Sequence, residues 1–285
     1  MTLLVTAVAG AQIPADPSPT VRRIDHIMIR SGNPSDVYGL LADTLQLPVA
    51  WPLASPREGV TTGGVSVGNV NLEAIRFPAQ TEQQPRLLGI ALEPSPLDQA
   101  MRQLTLRGLA VGNRREIIGS RSDGSRGPLW TNVTLRQFSD SDNPADGIVH
   151  VFLSEYSAAY VDVEERRARL RQQLAASGGG PLGITDVKEV VVGVSDLASA
   201  RRLWQQLLEP AVLAGPDQWQ VGDGPAIRLV PADQNRMEAL VIRVASLDRA
   251  KTFLRDNGLL GKEADGQVTI ASSKLGAVDL RLVPR

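Results

Sequence analysis

The sequence predicts an α+β protein built from four βαβββ modules, paired into two curved sheets of mixed or antiparallel strands. Three observations carry that expectation. An apolar strand running into a helix opened by Ser, Asn or Asp recurs at 24–45, 87–106, 187–208 and 238–259. Two modules close on nearly the same words, AIRLVP at 226–231 and DLRLVP at 279–284, and a third closes on AIRFP at 74–78. Such recurrence constrains architecture before any single residue does. Several short strands also follow each helix, which favours antiparallel pairing over an alternating parallel sheet. Neither GxGxxG nor GxxxxGK[ST] occurs at the strand-helix junctions, so a nucleotide-binding fold is not indicated.

The first module runs from Val21 to Pro78. In its opening strand Ile27 and Ile29 point one way, and His26 and Met28 the other. Asn33 or Ser35 can cap the following helix, with Asp36 near its positive end. Strands follow at Val60–Val67 and Asn69–Phe77, joined through Gly68-Asn69, and the Gly63-Gly64 pair marks a bend or bulge. The second module, 85–156, has a polar loop at 113–128, strands at 129–138 and 148–155, and a second polar loop at 139–147. The Arg-, Glu-, Leu- and Ala-rich stretch 161–176 has helical composition, and SGGGP at 177–181 breaks it. The third and fourth modules, 184–231 and 236–284, have tighter loops. The expected division is therefore a leader at 1–20, an N-terminal pair of modules at 21–158, a helical linker at 159–182 and a C-terminal pair at 183–285. Long loops tend to carry function, which directs attention to the N-terminal pair.

The chain has 285 residues, enough to bury a substantial core. Its 30 Lys and Arg against 31 Asp and Glu give no basic excess for nucleic acid. No apolar run is long enough to span a bilayer. Without cysteine there are no disulfides, thiolate metal sites or cysteine nucleophiles. Two readings fit Met1–Thr20: a disordered leader, which implies a cytoplasmic protein, or the remnant of a signal peptide, which implies export.

VRRIDHIMIRSGNP (21–34) resembles the opening strand of the vicinal oxygen chelate superfamily, which includes glyoxalase I, extradiol dioxygenases and bleomycin-resistance proteins. VVVGVSDLASARRLWQQLL (190–208) and SLDRAKTFL (246–254) resemble its strand-helix junctions, so the likeness covers nearly all of 21–285 and marks a glyoxalase-like domain protein. The resemblance implies a cup in each half. It also implies a divalent metal (Fe, Mn, Zn, Ni or Mg) held by His and Glu side chains, which would stabilise negative charge on the substrate. His26 matches the first ligand position. Aligning the helices puts Gly89, Glu189 and Ala239 at the corresponding places of the other modules, and the C-terminal half contains no histidine.

Glu73 shares a strand face with Asn69, Asn71 and Ile75 and is the second ligand candidate; the AIR endings would place Pro225 at its counterpart. Glu155, near the end of VHVFLSEY, is the third, with Tyr156 beside it as the residue that moves a proton. His150 alternates with Phe152 and Ser154 and reads as a cross-strand or surface residue. Trp51, Arg57, Trp130, Asn132 and Arg136 offer apolar contact and positive charge for a small organic anion. Arg228 and Arg281 recur at matching places and read as structural, with Glu189 a partner for one of them. Two functions follow. One is a divalent-metal-dependent lyase, isomerase or hydrolase acting on a small oxygenated molecule in the N-terminal cup. The other is a metal-free small-molecule binding or sequestration protein. Four modules in one chain make a monomer sufficient and leave a homodimer open.

Overall fold

The computed structural model describes residues 19–121, 123–211, 213–264 and 266–285. The N-terminal half contributes β1 (Val21–Arg30), β2 (Val49–Arg57), β3 (Val60–Ser66), β4 (Asn71–Arg76), β5 (Arg86–Pro94), β6 (Val111–Ser120), β7 (Arg126–Leu135) and β8 (His150–Tyr156). These form one curved sheet in the order β2-β3-β4-β1-β5-β8-β7-β6. Its helices are α1 (Pro34–Gly39) and α2 (Leu97–Leu106), and α3 (Val163–Ala176) leads to the second half. There β9 (Ile184–Val194), β10 (Leu213–Gly215), β11 (Gln218–Gln220) and β12 (Ala226–Pro231) are followed by β13 (Arg236–Val244), β14 (Leu260–Ala264), β15 (Gln267–Ile270) and β16 (Leu280–Pro284). They repeat the same order, β10-β11-β12-β9-β13-β16-β15-β14, with α4 (Leu197–Leu208) and α5 (Leu247–Asp256). The α+β architecture of paired, curved sheets is thus as expected.

Strand alternation separates two faces. The odd residues of β1, Ile27 and Ile29, join one buried apolar cluster that continues through Val190 and Val192 of β9 and Leu240 and Ile242 of β13. Burying each such side chain stabilises by about 1.5–3 kcal/mol, so this shared core is the main adhesive between the halves. Polar contacts fix their register. Asn69 donates to the Val187 carbonyl and accepts from its N–H, both at 2.9 Å. Phe138 packs edge-on against Trp204, with centroids 5.0 Å apart. Residues 1–18 of the expected leader lie outside the described residues. Thr20, assigned to that leader, is buried and donates to the Leu207 carbonyl at 2.7 Å.

One local expectation changes and another is refined. The segment 113–128, expected as a loop, largely belongs to the β6–β7 hairpin at the sheet edge, where mostly exposed side chains hide the strand pattern. At Gly63-Gly64 the expected irregularity is present on one side only: the β2–β3 register shifts on both sides of the Trp51–Gly64 pair, while β3 pairs with β4 without a break from Thr61 to Ser66. Both glycines are bare because Tyr38 lies against Gly63 and the Trp51 indole lies across Gly64.

Candidate functional site

The concave face of the N-terminal sheet encloses a cavity of about 780 Å³. Its floor is apolar, with Met28, Ile75, Phe77 and Phe152. His26 and Met28 of β1 point into it, as the alternation predicts, and His26 faces the cup while remaining 7% exposed. The imidazole is held on four sides. Its Nδ1 is 2.8 Å from Asp25 Oδ2, and its Nε2 is 3.3 Å from Glu73 Oε2. Trp51 and Phe152 meet the ring edge-on, at centroid distances of 5.9 and 5.8 Å. Glu73 also accepts from the Thr62 hydroxyl at 2.5 Å.

Behind His26 lies a buried charge network. Asp25, 1% exposed, accepts from the Tyr156 phenol at 3.1 Å and from Arg167 Nη2 at 2.9 Å. Arg167 also pairs with Glu93. Arg166 Nη2 stands 3.7 Å from Asp25 Oδ1, and its guanidinium lies over the Tyr156 ring at 4.7 Å. Burial alone would favour neutral imidazole, but the hydrogen bonds to Asp25 and Glu73 outweigh it and push His26 up to about 9. Burial would likewise raise Asp25, yet His26, Arg166 and Arg167 hold it far below the usual carboxylate range. Burial and the Asp25 charge push the Tyr156 phenol well above its ordinary value. Its proton is directed at Asp25.

Of the expected ligands, His26 and Glu73 are brought together and Glu155 is not. On β8, His150, Phe152, Ser154 and Tyr156 line the cavity, so alternation turns Glu155 to the opposite face. There its Oε1 accepts the Leu97 N–H at 2.7 Å, at the start of α2. The same alternation corrects the expectation for His150: it is buried and borders the cup, and burial lowers it to about 4. Trp51, Trp130 and Asn132 line the cavity as expected. Arg136 is at its mouth, with Nε 3.3 Å from Asp142. Arg57 is on β2, and its side chain lies outside the described residues.

Strand register shows what the site lacks. Met28 faces Gly89 and His26 faces Ala91 across β1 and β5. This local twofold relation maps His26 onto Gly89 and, through the β1–β4 and β5–β8 pairings, Glu73 onto Phe152. A Cβ at Gly89 would overlap the His150 carbonyl oxygen, so that position cannot bear a ligand without movement of the strands. Phe152 offers only a ring. Asp25 is taken up by its cations and Tyr156. Among the described residues no group of three His, Cys, Asp or Glu is placed to hold a metal ion. Two donors, His26 Nε2 and Glu73, fall short of the three protein ligands usual for a catalytic metal. The donor set therefore does not fit the resident divalent metal that the resemblance implies.

Sequence reasoning missed Arg166 and Arg167, which α3 brings against the cup. Arginines in a helix composed largely of charged and polar residues read as solvated. A helix polar all round is, however, one of the patterns expected of an element bridging two bodies, and that signal was available.

The geometry is that of the vicinal oxygen chelate fold. A mutant of 4-hydroxymandelate synthase from Streptomyces coelicolor matches with a TM-score of 0.60 at 12% identity, covering 94% of this chain and 93% of that one. Homoprotocatechuate 2,3-dioxygenase from Arthrobacter globiformis matches at 0.58 and 13%, covering 95% and 82%. A hypothetical protein from Staphylococcus aureus matches at 0.58 and 10%, covering 92% and 99%. At these identities the likeness establishes the fold alone. No family model and no curated protein matches the sequence. Among the described residues, no helix is long and apolar enough to cross a membrane.

Proposed function

We propose that the N-terminal cup binds a small, largely apolar organic molecule directly, without a resident metal. One observation carries this reading: the cavity is large and lined by rings, while the partners of His26 and Glu73 across the local twofold are Gly89 and Phe152. His26 then serves as a buried cation that organises Glu73, Trp51 and Phe152 into a fixed wall. Residues 21–158 carry the site in this reading, and the linker at 159–182 completes it rather than merely joining two halves. A thermal-shift screen of small organic ligands tests it, since a ligand that binds the folded state raises the melting temperature. Stabilisation unchanged by EDTA is expected; stabilisation abolished by EDTA would refute the reading.

A second reading, a divalent-metal-dependent lyase, isomerase or hydrolase, is favoured by one feature. His26 Nε2 and Glu73 Oε2 face each other at 3.3 Å, with Asp25 on the far ring nitrogen. A carboxylate behind a histidine is a common support for metal-bound imidazole. Metal analysis of untagged protein separates the two: a stoichiometric metal that disappears in His26→Ala would replace the first reading by the second.

A further inference from the structure

We infer that Arg166, supplied by the helix between the halves, is the charge anchor of the cup, and that its ligand is an aromatic carboxylate. This rests on the proposed direct binding and names the ligand class. The first observation is a buried guanidinium whose hydrogen-bonding capacity is not used up. Arg167 takes the short hydrogen bond to Asp25 at 2.9 Å, which leaves Arg166 only a looser ion pair with that carboxylate at 3.7 Å, and Arg166 Nε and Nη2 are buried without hydrogen-bond partners. The Arg166 side chain is 9% exposed and forms part of the cavity wall. Buried donors are rarely left in this condition, and a guanidinium least of all. An anionic oxygen entering the cup would give Arg166 the hydrogen bonds that its 3.7 Å ion pair with Asp25 does not supply.

The second observation is the balance of charge around the cavity. Arg114, Arg115, Arg136 and Arg166 line it against Glu73 and Asp142, while Asp98 and Asp25, which pair with Arg114 and Arg166, lie outside the wall. A concave wall whose exposed charges are mostly of one sign concentrates ligands of the other. The third is the surroundings of Arg166. The rings of Trp130, Tyr156 and Tyr160 stand together beside it, with centroids 5.9–6.4 Å apart. Flat rings next to a planar guanidinium suit a flat, delocalised body bearing a carboxylate, which arginine recognises through planar, charge-assisted hydrogen bonds. The Asn132 Oδ1 acceptor, on the cavity wall two residues along β7 from Trp130, is likewise buried without a partner and can receive a hydroxyl on the same ligand.

The test is calorimetric titration of the full chain with 2-naphthoate and with its neutral counterpart 2-naphthalenemethanol, at fixed salt. Wild-type protein should bind the acid about tenfold more tightly than the alcohol. Arg166→Met should bring that ratio close to one while leaving the alcohol's affinity in place, and Arg166→Lys should retain part of the preference. Arg169→Ser, on the exposed side of the same helix and outside the cavity wall, should keep it. Melting curves establish that each variant folds, and the wild-type ratio stands independently of them. Equal affinity for acid and alcohol, tighter binding of the alcohol, or a preference that survives Arg166→Met would overturn the assignment while leaving direct binding intact. Failure of both probes to bind would remove the direct-binding reading itself.

Discussion

The two cups share a strand order but hold opposite chemistry at the same place. In the N-terminal sheet His26 is opposite Asn71 and Ala91, with Glu73 two residues along β4. In the C-terminal sheet Glu189 takes the place of His26, opposite Ala226 and Val241, and Arg228 takes the place of Glu73. Glu189 Oε1 meets Arg228 Nη2 at 3.0 Å and its other oxygen accepts from Gln218 at 3.0 Å. The fold thus keeps a cation-anion pair at this point in both halves while exchanging the signs. What differs is the support. Behind His26 stands Asp25 with two arginines, whereas the residue at the Asp25 position of the second half is the exposed Lys188. Apolar side chains of Val191, Ala239 and Val241, with Val230 and Val283, cluster in the second cup. Only the first pair is backed by a buried charge network and opens onto the large cavity.

Removing that support should produce the largest asymmetry. Asp25→Ala leaves the His26, Arg166 and Arg167 cations buried without their common anion, which should destabilise by about 3–5 kcal/mol. For a chain of this size that lowers the melting temperature by on the order of 10 °C. Lys188→Ala, at the matching position, should change stability by less than about 0.5 kcal/mol. Equal effects in the two variants would mean that the buried network has no special role.

The next difference is in pH dependence. The folded-state value of His26 is raised from 6.5 to about 9, so its contribution is fully present below 6.5 and is lost as pH rises through 9. The fall should be at most about 3 kcal/mol. Asp25 has the opposite sign: its depressed value stabilises above 3.8 and is lost only in strong acid. Wild-type stability should therefore decline between pH 6.5 and 9.5. His26→Gln should be less stable at pH 6 but lose this decline. The C-terminal cup, which has no histidine, cannot supply it. Melting temperatures of both proteins across that range check the slope, and an unchanged slope in His26→Gln would place its origin elsewhere.

Much of the fold was legible because its signals are periodic: alternation in β1 put His26 and Met28 on one face, and recurring strand-helix junctions marked the four openings. The site was legible where it lay on those strands, as for His26 and Glu73. It failed by one residue at Glu155, because the alternation around it was not carried through to the cup face that Tyr156 shares. It failed by three residues at the counterpart of Glu73: matching the AIR words pointed to Pro225, whereas strand register places Arg228 there. Similar words at strand ends are cheap to repeat, and hydrogen-bonded register is set by the neighbouring strand. Glu189 does pair with one of the recurring arginines, Arg228, while Arg281 pairs with Asp279. Arg166 was out of reach for another reason. Its place depends on how α3 packs against β2, β3 and β9, which no local pattern encodes.

The missing half of the ligand set yields a smaller prediction. Gly89 and Ala239 are equivalent, yet the second sheet accommodates a Cβ where the first would drive one into the His150 carbonyl oxygen. Gly89→Ala should therefore cost about 1–3 kcal/mol through forced separation of β5 and β8. Ala239→Gly, which only removes a methyl and frees the chain, should cost about 1 kcal/mol. Thermal melts rank the two; a harmless Gly89→Ala would mean that these strands can open enough to admit a ligand side chain, and would weaken the case against a metal.

The smallest effect is expected at the sign-exchanged pair itself. Arg228 is about one-third exposed, and Glu189 keeps its hydrogen bond from Gln218 when the guanidinium is removed. Arg228→Ala should therefore lower stability by no more than about 1 kcal/mol, with partial solvation replacing the lost partner. Glu73→Ala should cost more, because it leaves the His26 cation, 7% exposed, without the carboxylate at Nε2. Melting curves of the two single variants at pH 7 make the comparison. If Arg228→Ala proved the more damaging, the C-terminal pair would be the structurally costly one to break, and the buried network behind His26 would have to be read as support for ligand binding rather than for stability.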